Sequence, residues 1–363
     1  MKKKNPHKSK EFLRRHALRC LRSQRRWREW KRRQGRLFCD RVIVERLVAP
    51  RFWNLARPDA RARVLDFLDH LRKVFCCVGR TILLDFQRTE KLFSCATLLL
   101  VAEVDRLRRT YPNVVVRTHL PRNLIARQVL QQVGLLKLIG HKHVMASSSF
   151  DETVKNWRYA TGHCTDASRI SDEVWDAMDG RITPALRRSI FKGITEAMTN
   201  SVHHAYVGER GDGVRLPSPE KRWWMFSQEL EGHLHVVVCD LGVGIQHSLP
   251  RNEQVEPGFM ARLGSFLSNF QPDKREAATI KAAVEIGRTR TQLHNRGKGL
   301  KQIVDTIVTA GDTANMVIYS NCGAYWVESS SSRSASREKI IQYDGSIMGT
   351  LIQWRMPVTE QEA

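Results

Sequence analysis

Three polar residues at intervals of four are the first candidates for chemistry. Glu196, Asn200 and His204 occupy positions i, i+4 and i+8 of a stretch that begins near Pro184 and is typical of a helix. Residues at that spacing project from one helical face. A carboxylate can act as a general base and an amide oxygen can bind a hard cation, although an ordinary surface helix shows the same polar spacing.

The second candidate is an aspartate at the end of an apolar run. Asp240 follows the buried-looking run 236–239 and is itself followed by Gly242 and Gly244. A carboxylate at a strand end can accept a hydrogen bond from an exocyclic amine such as that of adenine. The glycines leave room for a ligand beside the backbone. An ordinary turn after a strand would show the same Asp-x-Gly pattern.

A glycine loop before another predicted helix suits an anion. Its residues are Arg296, Gly297, Lys298, Gly299 and Leu300. Free backbone N–H groups and the positive end of the helix dipole would favour phosphates there, although an ordinary helix start fits as well. Spacing excludes two other nucleotide motifs, because no third glycine completes a dinucleotide fingerprint and no Ser or Thr follows Lys298 as in a P-loop.

Together the three motifs resemble the GHKL family of ATP-binding domains, whose members include gyrase, histidine kinases and MutL. Their order and spacing match its N box, G1 box and G2 box. Gly349 and Thr350 before the last predicted strand match the family's threonine near adenine. The stretch from Glu196 to Tyr206 is most similar to the anti-sigma-factor serine kinases. The resemblance implies a Bergerat two-layer α/β sandwich over residues 183–358.

The resemblance implies that ATP and Mg²⁺ are the ligands and gives each matching residue a role. Asn200 would bind Mg²⁺, and Glu196 would orient or deprotonate an attacking water or hydroxyl. Asp240 would bind adenine, with Thr350 behind it. The remaining nucleotide contacts would come from Gly242, Gly244, Arg296, Gly297, Lys298, Gly299 and Leu300.

Two further expectations come with the resemblance. For His204, a phosphate contact and a structural role both stay open, and His203 could share either one. Residues 246–296, with several glycines and a basic Arg288-Thr-Arg290 stretch, would form a lid that closes on the nucleotide.

Residues 41–145 predict a layered α/β unit. Its elements are a strand at 81–86, a helix from 95 to 107, a strand at 114–119 and a helix at 123–138. This order resembles the STAS domain of anti-sigma-factor antagonists. Ser94 is the nearest match to the serine that the family phosphorylates, but the aspartate before it is absent, so we expect Ser94 to cap the following helix. Residues 146–182 are interpreted as a connector.

Positive charge is concentrated at the N-terminus. Residues 1–37 hold sixteen Lys or Arg and two acidic residues, whereas the whole chain has a net charge of +23. Residues 1–40 are therefore interpreted as a basic helical arm. Three roles stay open: a helix packed on the body, a nucleic-acid arm in which Trp27 or Trp30 stacks on bases, and contact with an anionic membrane.

Composition favours a cytoplasmic protein. The eight cysteines show neither a CxxC nor a disulfide spacing, which suits a reducing compartment. No apolar stretch is long enough to span a bilayer, and no secretory leader follows the first lysines. We expect no membrane span.

The function predicted from the sequence is an ATP–Mg²⁺-binding regulator of mixed α/β fold. It would hydrolyse ATP or phosphorylate a partner protein, as an ATPase or a serine/threonine-kinase-like enzyme, and a homodimer is one option for its assembly. One alternative is a non-catalytic, ATP-gated interaction module. The other is a nucleic-acid-associated ATPase of DNA maintenance or mobile-element defence, anchored by residues 1–37. No helix pair with a phosphoacceptor histidine precedes residue 183, which disfavours a sensor histidine kinase.

Overall fold

The computed structural model describes residues 43–77, 80–141, 145–146, 149–155, 157–165, 183–214, 221–249, 258–289, 304, 314–329 and 337–358. The predicted basic arm and the glycine loop 296–300 lie outside these residues, as does most of the predicted connector. The chain divides after Val44 into two compact units, and the second unit begins at Glu45. No helix in the described part is long and apolar enough to cross a membrane.

The first segment, within residues 43–162, alternates strands and helices. In chain order it contains β1 (Ile43–Val48), β2 (Phe52–Trp53), α1 (Pro58–Phe75), β3 (Arg80–Asp85), β4 (Lys91–Leu92), α2 (Ser94–Thr110), β5 (Val115–His119), α3 (Leu124–Gln132), α4 (Leu135–Leu138), α5 (Glu152–Lys155) and β6 (Arg158–Gly162). One sheet has the order β1-β3-β5, with β3 and β5 parallel. The two predicted strands and the first predicted helix of this segment are confirmed.

Two local predictions in this segment are wrong. The helix expected at 123–138 is broken by Gly134, which takes a left-handed conformation (φ 77°) between α3 and α4. Ser94 does not cap α2, because the helix begins at Ser94 itself and the capping position belongs to Phe93, without a side-chain hydrogen bond. Ser94 is also buried.

The second segment, residues 183–358, supplies six of the seven strands of the largest sheet. In order it contains α6 (Pro184–Asn200), a π-helical turn (Ser201–Ala205), β7 (Trp223–Leu230), β8 (His233–Asp240), α7 (Ile245–Ser248), α8 (Phe259–Leu267), a 3₁₀ turn (Pro272–Lys274), α9 (Arg275–Thr289), β9 (Asn315–Ser320), β10 (Gly323–Glu328), β11 (Arg337–Gln342) and β12 (Thr350–Pro357). The strand order is β11-β10-β9-β12-β8-β7-β6, antiparallel throughout. The edge strand β6 lies in the range 146–182 that was interpreted as a connector.

Both faces of this sheet are covered. Because successive side chains of a strand point to opposite faces, Met316 and Ile318 of β9 enter one core while Val317 and Tyr319 enter another. Helices α6 and α9 pack on the first face, and α2 packs against β7 and β8 on the second. The fold is therefore mixed α/β, as predicted, and the two segments share a core.

A buried carboxylate on α2 binds both α1 and the second segment. Glu103 is fully buried, and its Oε1 accepts hydrogen bonds from Arg72 of α1 (2.8 Å) and from Arg210. Arg210 also pairs with Asp212 at 3.0 Å and donates through Nε to the carbonyl oxygen of Met348 at 2.7 Å. Burial alone would disfavour a charged Glu103, but the facing arginines outweigh it and lower its pKa.

Glu103→Gln is expected to lower the free energy of unfolding by about 3–5 kcal/mol, because it leaves buried Arg72 and Arg210 without their shared carboxylate. Urea denaturation followed by circular dichroism measures this loss. The matched control is Glu90→Gln, since Glu90 forms a surface ion pair with Arg51 (2.7 Å). The control should cost no more than about 1 kcal/mol. Equal losses in both variants would contradict a structural role for the buried network.

Candidate functional site

Asp240 ends β8 as a buried carboxylate held by backbone amides. Asp240 is 6 % exposed. Its Oδ1 accepts hydrogen bonds from the amides of Gly242 (2.9 Å) and Thr350 (3.3 Å). Thr350 opens β12 and is paired with Asp240 across the two strands. Burial raises the pKa of Asp240 to about 6, although the hydrogen bonds oppose this rise. The predicted association of Asp240 with Thr350 is therefore present in the fold.

The helix that carries the first motif ends beside Asp240. α6 begins as predicted at Pro184, where the side chain of Thr183 accepts a hydrogen bond from the amide of Leu186 (3.3 Å). After Asn200 the helix widens into the π-helical turn. There the Ser201 hydroxyl donates to the Ala197 carbonyl (2.8 Å) and lies 3.5 Å from Asp240 Oδ2. Ser201 and Asp240, from the first and second motifs, therefore meet although they are 39 residues apart in the sequence.

The change from α- to π-helix alters the expected spacing of the first motif. Glu196 and Asn200 lie on α6, but His204 lies in the π-helical turn, so the three residues do not share one continuous α-helix. All three are half-buried. Burial raises the pKa of Glu196, while burial and the nearby charges of His203 and Lys221 lower the pKa of His204.

The two glycines after Asp240 are required by contacts within the protein. A Cβ on Gly242 would lie 2.3 Å from the carbonyl oxygen of Ala205, and Val243 donates its amide to that same oxygen at 2.8 Å. Gly244 has a φ of 82°, and a Cβ there would lie 2.5 Å from Asn321 Nδ2. Both glycines were expected to allow close approach of a ligand, whereas each allows close approach of another protein segment.

Asn321 is a residue of the site that the sequence analysis missed. It is buried in the β9–β10 turn with a left-handed φ of 49°. Its Nδ2 donates to the carbonyl of Val243 (2.9 Å), and its Oδ1 accepts from the amide of Gly349 (3.2 Å). One side chain thus links the loop after Asp240 to the residue before Thr350. Asn tolerates left-handed turns, which is the sequence signal that could have indicated the turn.

Arg61 of α1 supports the same turn from the first segment. Its Nη2 donates to the carbonyl oxygens of Asn321 and Gly345, each at 3.1 Å. The guanidinium lies over the Tyr343 ring at 4.1 Å and near the Tyr319 ring at 5.6 Å. Within the described part of the chain, no carboxylate forms an ion pair with Arg61. Burial lowers the pKa of Arg61, so carbonyls and aromatic rings are its compensation.

Several predicted site residues are not tested by these contacts. Arg296, Gly297, Lys298, Gly299 and Leu300 lie outside the described residues. Within the predicted lid 246–296, α9 packs against β9 and β10, and a lid role for the range stays a prediction. Among the described residues, no group of three or more His, Cys, Asp or Glu could hold a metal ion.

Asp240→Asn is expected to stabilise the fold above neutral pH. Burial raises the pKa of Asp240 from 3.8 to about 6. The carboxyl therefore stabilises the fold when protonated, and this stabilisation is lost as pH rises through about 6. A difference of about two pKa units, at about 1.4 kcal/mol each, predicts an advantage of about 3 kcal/mol for Asn at about pH 8 that vanishes near pH 4.

Thermal and urea denaturation across this pH range would test the expectation. Asp66→Asn, at an exposed position of α1, is the matched control and should show no such pH-dependent gain. An Asp240→Asn variant that is less stable than the wild type at every pH would contradict the burial argument.

No protein-family model and no curated protein matches the sequence significantly.

Proposed function

We propose that this chain binds ATP with Mg²⁺ around Asp240 and acts as a nucleotide-dependent regulatory switch. The proposal rests on one observation, the meeting of separate sequence motifs at a single carboxylate. Asp240 Oδ1 accepts from Gly242 and Thr350, and Oδ2 lies 3.5 Å from Ser201, the neighbour of Asn200. These are the segments that the GHKL resemblance assigns to adenine and to the metal.

The acceptor positions left on the Asp240 carboxylate suit the exocyclic amine of adenine. An ionised carboxylate has about four acceptor positions, and the contacts around Asp240 use only some of them. The backbone amides hold Oδ1 in place, so Oδ2 is the oxygen that would accept from the exocyclic amine of adenine. Thr350, whose hydroxyl lies 3.3 Å from the Ser320 hydroxyl, would support the base from the neighbouring strand.

The other ligand contacts extend the proposal along α6. Half-buried Asn200 would bind Mg²⁺ through its amide oxygen, together with phosphate oxygens and water. When bound, ATP supplies a transferable phosphoryl group and Mg²⁺ neutralises its charge. The loop of Arg296, Gly297, Lys298, Gly299 and Leu300 would contact the phosphates, and a phosphate contact stays open for His204.

Glu196 is the residue proposed to act on the nucleophile. It lies one helical turn before Asn200, and burial raises its pKa. A raised pKa makes its carboxylate a better acceptor for the proton of a water or a substrate hydroxyl near neutral pH. The reaction would be ATP hydrolysis or phosphorylation of a partner protein.

The architecture supports the finer fold assignments. An antiparallel sheet with α6 and α9 on one face agrees with a Bergerat-type domain, and the order β3-α2-β5-α3 agrees with a STAS-like segment. Because α2 packs on the strand that carries Asp240, the first segment is the proposed receiver of the nucleotide signal. The six described cysteines are free, which supports a reducing compartment, and we propose the cytoplasm.

ATP binding should depend on Asp240 and on Asn200. Isothermal titration of the full chain with ATP and Mg²⁺ should show dissociation constants at least about tenfold higher for Asp240→Asn and Asn200→Ala, since each loses a ligand contact worth about 1.4 kcal/mol or more. Asn200→Ala should also weaken the dependence on Mg²⁺. Asp66→Asn is the control with unchanged affinity. Wild-type affinity in Asp240→Asn, with the fold intact, would refute the proposed site.

Turnover should depend on Glu196 while ATP binding does not. Glu196→Gln is expected to reduce phosphate release or phosphoryl transfer by about 10²–10⁴-fold, because it removes the general base. Glu209→Gln, at an exposed carboxylate after the π-helical turn, is the control. Unchanged turnover in Glu196→Gln would exclude this role. A wild-type chain that binds ATP without turnover would instead support the non-catalytic, ATP-gated alternative.

A further inference from the structure

A cavity of about 410 Å³ lies on the face of the large sheet opposite α9. Its floor is formed by alternate residues of β9, β10 and β11, and Ala56 of the chain before α1 also lines it. The residues that line it are Ala56, Val317, Tyr319, Trp326, Glu328, Arg337, Glu338, Lys339, Ile341 and Tyr343. A cavity of this size accommodates a ligand about as large as a nucleotide. None of these residues belongs to the site around Asp240.

Aromatic rings form the floor of the cavity. Tyr319 and Tyr343 are buried with their ring centres 6.3 Å apart, and the Arg61 guanidinium packs against both rings. Trp326 lies between Val317 of β9 and Lys339 of β11 in the strand register and is only half-buried. Its ring is therefore the stacking surface that the cavity offers to a planar ligand.

The cations at the rim favour an anionic ligand. Arg337 and Lys339 are exposed on β11, and neither has a carboxylate oxygen within 4.0 Å in the described ranges. Of the two acidic lining residues, Glu338 pairs with Lys281 at 3.2 Å. Glu328 is the cross-strand neighbour of Arg337 and offsets part of its charge. Lys339, directly across from Trp326, is the cation placed to meet an anionic group beside a stacked ring.

We infer that this cavity binds a nucleotide unit, with its base stacked on Trp326 and its phosphate at Lys339 and Arg337. The unit can come from a free mononucleotide or from a single-stranded nucleic acid. The net charge of +23 favours the second source, because a strongly basic chain attracts polyanions. No lining residue is a proposed ATP or Mg²⁺ ligand, so each site can be tested without the other. Tyr319 and Tyr343 nevertheless pack on Arg61, which supports Asn321.

Binding is tested on the full chain with a fluorescein-labelled single-stranded oligonucleotide and with UMP as the mononucleotide. UMP is chosen because uracil has no exocyclic amine for Asp240. Anisotropy is measured at raised salt, which weakens phosphate-only contacts by other basic residues more than it weakens stacking. Displacement by UMP at concentrations similar to those of the unlabelled strand indicates a free nucleotide, whereas displacement by the strand alone indicates a single-stranded nucleic acid.

Trp326→Leu should weaken binding at least about tenfold, and Trp326→Phe should restore most of it, because a ring can still stack. Lys339→Gln should also weaken binding, and because its side chain is exposed it keeps the test valid if a Trp326 variant does not fold. Lys137→Gln, at an exposed lysine of α4, is the control. Wild-type binding in both Trp326→Leu and Lys339→Gln would overturn the inference, and so would equally effective displacement by polyglutamate.

Discussion

Glu103 is buried where its carboxylate cannot be hydrated, and two arginines from distant parts of the chain supply the compensating charge. Arg72 belongs to α1, whereas Arg210 follows the π-helical turn. The packing of α1, α2 and the chain after that turn therefore depends on the side chain of Glu103. The dependence extends to the candidate site, because Arg210 also binds the carbonyl oxygen of Met348, two residues before Thr350. A movement of α2 would therefore displace the start of β12, next to Asp240, through the guanidinium of Arg210.

A second arginine makes a parallel connection. Arg61 donates to the carbonyl oxygen of Gly345, and Arg210, which pairs with Glu103 of α2, donates to that of Met348. The loop between β11 and β12 is therefore bound at two points. Arg61 also holds Asn321, whose amide contacts the loop after Asp240. Any ligand that moves these loops must change the free energy of packing of α1 and α2, and the reverse holds equally. This reciprocity is what the proposed switch requires.

Local patterns predicted β3, α2, β8 and β12 because strand alternation and helical periodicity are properties of neighbouring residues. That Asp240 and Thr350 lie together was implied by the GHKL resemblance. Other features depend on distant partners. β6 was not predicted, because it is short and becomes a strand by pairing with β7, which lies more than 60 residues later in the chain. Arg61 and Asn321 are separated by 260 positions, so no local pattern could join them. The π-helical turn was likewise hidden in a run with regular helical spacing.

The glycines after Asp240 have a consequence for how such motifs are compared. Ala205 occupies the space where a Cβ of Gly242 would lie, and Asn321 does the same for Gly244. Relatives that share this packing would retain both glycines whether or not they bind the proposed nucleotide, because the helix end and the hairpin leave no room for a Cβ. Half-buried Asn200, the proposed Mg²⁺ ligand, would be retained for its amide only where that proposed binding is kept. Among distant homologues, the amide of Asn200, rather than the pair Gly242 and Gly244, would therefore indicate whether the proposed nucleotide binding is retained.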